Sequence, residues 1–195
     1  MFQLKRQLIR RATVVATPLC RSVVSSAQAR VIRGTEPKTI GPFEVKRVTP
    51  EWNTAIAARD IRKDEVIGTA RGTMYDAPTR FTIQMAHDKH VEIFGGLEYA
   101  NHSCNPNASF IMSETEPVVQ LVAIKPIAKG QDITFDYNTT EWDMDEKFDC
   151  QCGDAACRGN VHGAKFLNDA DVLKLLPHFS SSILRHLLKL KLVHG

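Results

Sequence analysis

From Phe43 onward the chain breaks into short apolar runs separated by turn residues, the pattern of a strand-rich domain. Phe43-Glu-Val45-Lys-Arg-Val48 alternates loosely, and Thr54-Ala-Ile56-Ala-Ala58 is a run of small and apolar residues. A turn at Arg59 to Asp64 leads into Glu65-Val66-Ile67-Gly68, which predicts a third strand. Arg80-Phe81-Thr-Ile83-Gln and His90-Val91-Glu-Ile93-Phe94 predict two more, joined by a turn at His87-Asp88-Lys89 and closed by Gly95-Gly96. Val118-Val-Gln-Leu121-Val-Ala-Ile124 reads as a buried strand, followed by a turn over Lys125 to Gly130 and a strand leading to Tyr137. After Asn168 the period becomes helical. Asn168 or Asp169 can cap a helix carrying Val172, Leu173, Leu175 and Leu176, which Pro177 stops. Ser180 or Ser181 can cap a second, with Ile183, Leu184, Leu187 and Leu188 on one side and Lys189 and Lys191 in its last turn. These helices either pack onto the domain or present a face to a partner. Periodicity alone therefore predicts a mainly β (β+α) domain with two C-terminal helices, and no internal repeats.

Composition adds limits. With 195 residues the chain can bury one proper core plus extensions. No apolar run is long enough to cross a bilayer, so no membrane partner is expected. Charge is uneven: Met1 to Gly34 holds seven of the 25 Lys and Arg and no Asp or Glu, which leaves 18 basic against 22 acidic residues in the remainder. The pI near 8.6 thus reflects the leader, and a nucleic-acid-binding face on the body is not expected. Residues 1–34 are Arg-rich and acid-free, with Leu4/Leu8 and Arg6/Arg10 at i, i+4 spacing. They read as a mitochondrial or plastid transit peptide; the alternative is a plain basic tail, with the protein in nucleus or cytoplasm. The cysteine spacing suits a metal better than a disulfide framework, and a reducing compartment is expected. A boundary falls between Gly34 and Gly41, punctuated by Pro37 and Pro42.

The candidate chemistry lies in three stretches. Glu98-Tyr-Ala-Asn101-His102-Ser103-Cys104-Asn-Pro106-Asn107 brings an amide, an imidazole and a thiol together ahead of a turn. Ile133-Thr-Phe135-Asp136-Tyr137-Asn138 follows, and Cys150-Gln-Cys152-Gly-Asp-Ala-Ala-Cys157-Arg-Gly159 places three thiols within eight residues. A structural zinc site takes four tetrahedral ligands, so one is missing locally; His162 is near in sequence. His87 and His90 read as solvated turn residues, having no third ligand close by.

Together these stretches resemble the SET-domain family of protein-lysine methyltransferases, matching its NHSCxPN motif, its FDY and its CxCx4C post-SET zinc segment. Ala57-Ala58-Arg59-Asp60-Ile61 extends the likeness to the family's AARDIxKGEVI segment. The resemblance covers roughly Phe43 to Phe166. It implies a SET-domain fold of several small sheets with a threaded C-terminal segment over 43–148, a post-SET zinc segment over 149–166 and a helical extension over 167–195. It implies Cys104 as the fourth ligand beside Cys150, Cys152 and Cys157, with zinc as a structural staple. It also implies S-adenosylmethionine as cofactor, contacted by Asn101 and His102, with Phe148 stacking near the adenine; Trp142 is a second aromatic candidate. Tyr137 stands where the family's catalytic tyrosine stands. Phe135 occupies the family's Phe/Tyr switch in the substrate channel, where phenylalanine goes with higher methylation states.

Two departures matter. The family's GxG turn, where the backbone approaches the cofactor closely, is replaced by Trp52-Asn53-Thr54, of which Asn53 could keep the turn in a left-handed conformation. Leu97-Glu98-Tyr99-Ala100 differs from the RFIN of many histone-directed members, so a histone substrate is not assumed. The insert over 73–97 is short and leaves little room for a recognition helix. The resemblance implies a protein-lysine N-methyltransferase whose partner is a protein carrying the target lysine. The alternative is a non-catalytic SET-like binding module that keeps the zinc fold.

Overall fold

The computed structural model describes residues 41–194 apart from 51, 80 and 114; the leader over 1–34 lies outside the described residues. Eleven strands and two helices follow among them. The strands are β1 (Phe43–Thr49), β2 (Trp52–Ala57), β3 (Val66–Tyr75), β4 (Ile83–Ala86), β5 (Lys89–Ile93), β6 (Asn101–His102), β7 (Ala108–Met112), β8 (Val118–Ala123), β9 (Thr134–Phe135), β10 (Phe148–Asp149) and β11 (Asn160–Val161). The helices are α1 (Asp169–Leu175) and α2 (Ser181–His194). Mostly β with small sheets, this is the architecture that the sequence predicts.

The largest sheet has five antiparallel strands in the order β4-β5-β3-β8-β7. In β8 the alternation is clean, with Val119, Leu121 and Ala123 buried, as a strand with one face on the core requires. These side chains join Ile67, Val91, Ile93, Phe110 and Ile133 in the main hydrophobic cluster. A second cluster of Ala164, Leu175, Phe179 and Ile183, with Trp142, Leu184 and Leu187 against it, docks the C-terminal helices on the domain. Asn168 caps α1 by accepting from the Asp171 N–H at 2.9 Å, and Ser180 Oγ accepts from the Ile183 N–H at 3.3 Å at the start of α2. Pro177 follows α1 within a 3-10 turn over Leu176–His178. No α-helix occurs among the described residues of the 73–97 insert, which ends where a 3-10 turn over Leu97–Tyr99 begins.

Chain threading shows in the pairing of β6 with β9, parallel and in register Asn101↔Thr134 and His102↔Phe135. The loop after β6 wraps the same strand, since the Ser103 and Asn107 N–H groups donate to the Phe135 and Thr134 carbonyls at 3.1 and 3.2 Å. Asn107 also clamps β9 by its side chain, donating from Nδ2 to the Asp132 carbonyl at 2.8 Å and accepting the Thr134 N–H at 2.9 Å. The segment that carries Tyr137 is thereby enclosed by the Asn101–Asn107 loop.

Two expectations need correction, those for residues 52–54 and for His90. Residues 52–54 are not a turn: they open β2, antiparallel to β1, and only Asp64 among the described non-glycine residues takes a positive φ, 67°. Asn53 is therefore extended, because its neighbours Thr54 to Ala57 are buried and draw the strand back to Trp52. His90 is no turn residue either; it is 6% exposed on β5, and burial lowers its pKa. His87 is exposed in the turn, and its Nδ1 lies 2.9 Å from His186 Nε2 on α2.

Candidate functional site

Asn101 and His102 are placed by the short β6 strand, which follows a 3-10 turn over Leu97–Tyr99 and leads into a loop that bonds to β9. Both are 8% exposed and reach a cleft of about 580 Å³. Its walls include Trp52, Asn101, His102, Ser103, Lys125, Phe148 and Gln151, so four of the sequence-predicted cofactor positions share one cavity. Its volume falls within the range of small-molecule sites. Asn53 and Thr54 do not line it: Thr54 is buried within β2, and Asn53 is tied to the cleft only through its carbonyl, which accepts from Asn101 Nδ2 at 3.4 Å.

His102 is fixed at every ring atom that can bond. Its Nδ1 accepts from the Tyr137 N–H at 3.2 Å, which puts the proton of the neutral ring on Nε2, 3.4 Å from Cys104 Sγ. Burial pushes its pKa down to about 4, against the opposing pull of Asp136 at 3.8 Å, and Arg158 adds to the depression. The imidazole is thus neutral at ordinary pH and serves as a brace between Tyr137 and Cys104.

Tyr137 does not line the cleft. It is 2% exposed at the start of a 3-10 turn over Tyr137–Thr139, which Asp136 caps by accepting from the Asn138 N–H. Its hydroxyl donates to the Ala100 carbonyl at 3.5 Å. Rings of Phe135, His102 and Phe148 box it at centroid distances of 4.7, 5.2 and 6.0 Å. Phe135 and Tyr137 instead line a second recess of about 10 Å³ with Pro78, Thr79, Thr82, Thr140, Glu141 and Met144. Insert and post-tyrosine segment meet there through Gln84, whose N–H donates to Glu141 Oε1 at 3.2 Å and whose Oε1 accepts from the Trp142 N–H at 3.0 Å. Trp142 itself stacks on His186 at 4.9 Å and 22°, packed with the C-terminal helices and away from the cleft.

The sulfur atoms of Cys104, Cys150, Cys152 and Cys157 all lie within 4.8 Å of one another. Cys104 Sγ and Cys150 Sγ are 3.8 Å apart, and Zn–S bonds of about 2.3 Å in a tetrahedron require an S···S edge of roughly 3.8 Å. Backbone N–H groups of Arg158 and Gly159 donate to Cys104 Sγ and Cys157 Sγ, each at 3.4 Å, as suits thiolates. Burial pushes the Cys104 thiol up to about 11 and raises that of Cys150, whereas at Cys152 burial is outweighed by hydrogen bonds, which lower it to about 7; binding a divalent cation requires all four as thiolates and so releases protons. His162 stands apart, edge-on to Phe166. The four donors fit a zinc ion in number, type and spacing.

One functional-site neighbour carried no warning in the sequence. Arg158, between the last cysteine and β11, forms an ion pair with Asp136 of the Phe-Asp-Tyr stretch; its side chain is 11% exposed and that of Asp136 0%. Arg158 Nη1 also lies 3.9 Å from Asp171 on α1. A cation abutting the cysteine segment was the only signal available, and its partner follows from the threading rather than from spacing.

Residues 53–138 match the family model described as SET domain. The chain is 37% identical over 103 residues to the methyltransferase flvH of Aspergillus flavus, an alignment that takes 51% of this chain and 56% of that protein. It is 33% identical over 147 residues to the histone-lysine N-methyltransferase trr of Drosophila melanogaster, 59% of this chain and 6% of that protein. It is 36% identical over 69 residues to an H3 lysine-4 specific histone-lysine N-methyltransferase of Emericella nidulans, covering 33% and 6%. The chain thus spans about half the length of the first relative and a small part of the others. With the cleft, the enclosed tyrosine and the four-cysteine group in place, the chain carries a SET domain over residues 53–138.

Proposed function

We propose that the protein is an S-adenosylmethionine-dependent protein-lysine N-methyltransferase. The observation that carries this reading is the adjacency of two cavities at Tyr137: Asn101, His102 and Phe148 line the 580 Å³ cleft, and Tyr137, whose ring touches those of His102 and Phe148, lines the smaller recess with Phe135. If these rings part, a methyl donor in the cleft and an acceptor amine in the recess can meet in line, which is most of what methyl transfer asks of a protein. The cofactor, when bound, supplies an electrophilic methyl on a positively charged sulfur. Asn101 and His102 line the cleft floor, and the polar rim and Phe148 fit an adenosyl group. Tyr137, with its hydroxyl tethered to the Ala100 carbonyl, is rigid enough to orient an incoming amine.

The acceptor lysine must arrive neutral, although its ordinary pKa is about 10.4. Burial among Phe135, Tyr137 and Met144 disfavours the ammonium form, and a neighbouring positive charge adds to the effect. The recess is closed to roughly the size of one water, so a lysine side chain enters by displacing its walls. Phe135 offers no hydroxyl there, which leaves room for an already methylated amine. Zinc on Cys104, Cys150, Cys152 and Cys157 holds the segment that contributes Phe148 and Gln151 to the cleft.

A second reading, a non-catalytic binding module, is favoured by one observation: Trp52 stands where the family keeps a glycine and β2 runs extended through it. The experiment that separates the two is incubation with methyl-tritiated S-adenosylmethionine and candidate basic proteins, followed by mass spectrometry. Methyl-lysine formed by the wild type and not by Tyr137→Phe supports the enzyme; cofactor binding without any transfer to protein supports the module.

A further inference from the structure

Trp52 opens β2 as a large aromatic side chain, 38% exposed, that joins neither hydrophobic cluster. Its position is set by an irregularity in the β1-β2 pairing, which passes from Arg47↔Asn53 to Thr49↔Trp52 and leaves Val48 without an opposite residue. A bulge of this kind re-aims the side chain next to it, and here that side chain lines the cleft. The adjoining backbone is fastened to the cleft floor, since the Asn53 carbonyl accepts from Asn101 Nδ2. Phe148, the other carbocyclic aromatic of the cleft, is by contrast set edge-on against the rings of His102 and Tyr137 at 5.9 and 6.0 Å.

We propose that Trp52 is a further positioning residue for the cofactor, its indole forming the outer wall of the cleft on which bound S-adenosylmethionine packs; this rests on the cofactor reading above. The indole face can take either a flat heteroaromatic ring or a cation, and the cofactor carries both. At this position the protein thus replaces a close backbone approach with an aromatic surface. Binding removes from water the part of the ring that the fold leaves exposed.

The test uses the zinc-loaded full chain with Trp142→Phe, which leaves Trp52 as the only tryptophan of the two in the sequence. S-adenosylmethionine and S-adenosylhomocysteine are titrated in parallel by tryptophan emission and by calorimetry. Emission changes saturably with the calorimetric Kd for at least the methyl donor. Trp52→Ala weakens binding about tenfold, and Trp52→Phe stays within about threefold of the parent. A loss shared equally by the two ligands assigns the adenosyl ring to Trp52, and a loss confined to S-adenosylmethionine assigns the sulfonium. Calorimetric binding with unchanged emission, or wild-type affinity in Trp52→Ala, overturns the proposal while leaving the cofactor reading intact. No heat with either ligand in the folded wild type overturns both.

Discussion

Replacing Arg158 by methionine strands a buried carboxylate. Asp136 has no exposed side-chain area, and Arg158 is its ion-pair partner; the methionine fills a similar volume without the charge. Removing one member of a buried pair costs about 3–5 kcal/mol, because the other charge stays desolvated. Asn138 retains two donors to Asp136, its N–H at 3.1 Å and its Nδ2 at 2.8 Å, so the lower end, about 3 kcal/mol, applies. For a chain of this size that is a fall of roughly 6–12 °C in Tm. Urea unfolding of the zinc-loaded protein by circular dichroism measures it. Zinc content stays unchanged, since none of the four sulfur donors is touched. Adding Asp136→Asn removes the stranded charge and recovers much of the loss. A loss below about 1 kcal/mol, the size of an exposed pair, or a double variant no more stable than the single one, refutes the reasoning.

Tyr137→Phe lowers the transfer rate about 100-fold while S-adenosylmethionine affinity stays within twofold, because the tyrosine lines the recess and not the cleft; a parallel loss of both, by calorimetry and label transfer, contradicts that placement. Cys152→Ser lowers zinc content and Tm together, as does chelation of the wild type, and full metal occupancy in the variant removes Cys152 from the ligand set. Gly163→Ala destabilises well beyond Gly153→Ala. Both glycines have positive φ, 115° and 73°, but a Cβ at 163 meets the Trp142 carbonyl oxygen at 2.5 Å and one at 153 meets nothing within 4 Å. Backbone strain alone accounts for about 1–2 kcal/mol at 153, and equal losses in thermal melts contradict the close approach.

The strand over 118–123 was legible because it has one face on the core, which writes period two into the sequence; β1, which buries only Phe43, and β5, which buries His90, Val91 and Ile93, showed instead through their Val, Ile and Phe residues set between turn residues. β7, Ala108–Met112, was not foreseen: it follows directly on the Asn101–Asn107 loop and reads as its tail, and only pairing with β8 makes it a strand. β3 runs seven residues past its predicted end at Gly68, carried by β8 as far as Arg71 and then by β5 from Gly72 to Tyr75. The grouping of Asn101, His102, Phe148 and the cysteines followed from the family motifs alone. What spacing could not supply is the set of ties created by threading: His102 between Tyr137 and Cys104, Arg158 on Asp136, and Asn107 on β9. Each links residues whose separation in sequence has no periodicity to reveal it. The extended path of Trp52 to Thr54 was missed for the opposite reason, because the family turn suggested glycine-like geometry where burial of Ala55 to Ala57 dictates a strand.

The proposed activity requires the cleft beside Asn101 and His102 to bind S-adenosylmethionine. Calorimetric titration of the zinc-loaded full chain tests it most directly. Saturable, one-site binding in the micromolar range is the expected result. A sample with full zinc content and a folded circular dichroism spectrum that releases no heat contradicts it, and leaves the protein as a zinc-held binding module.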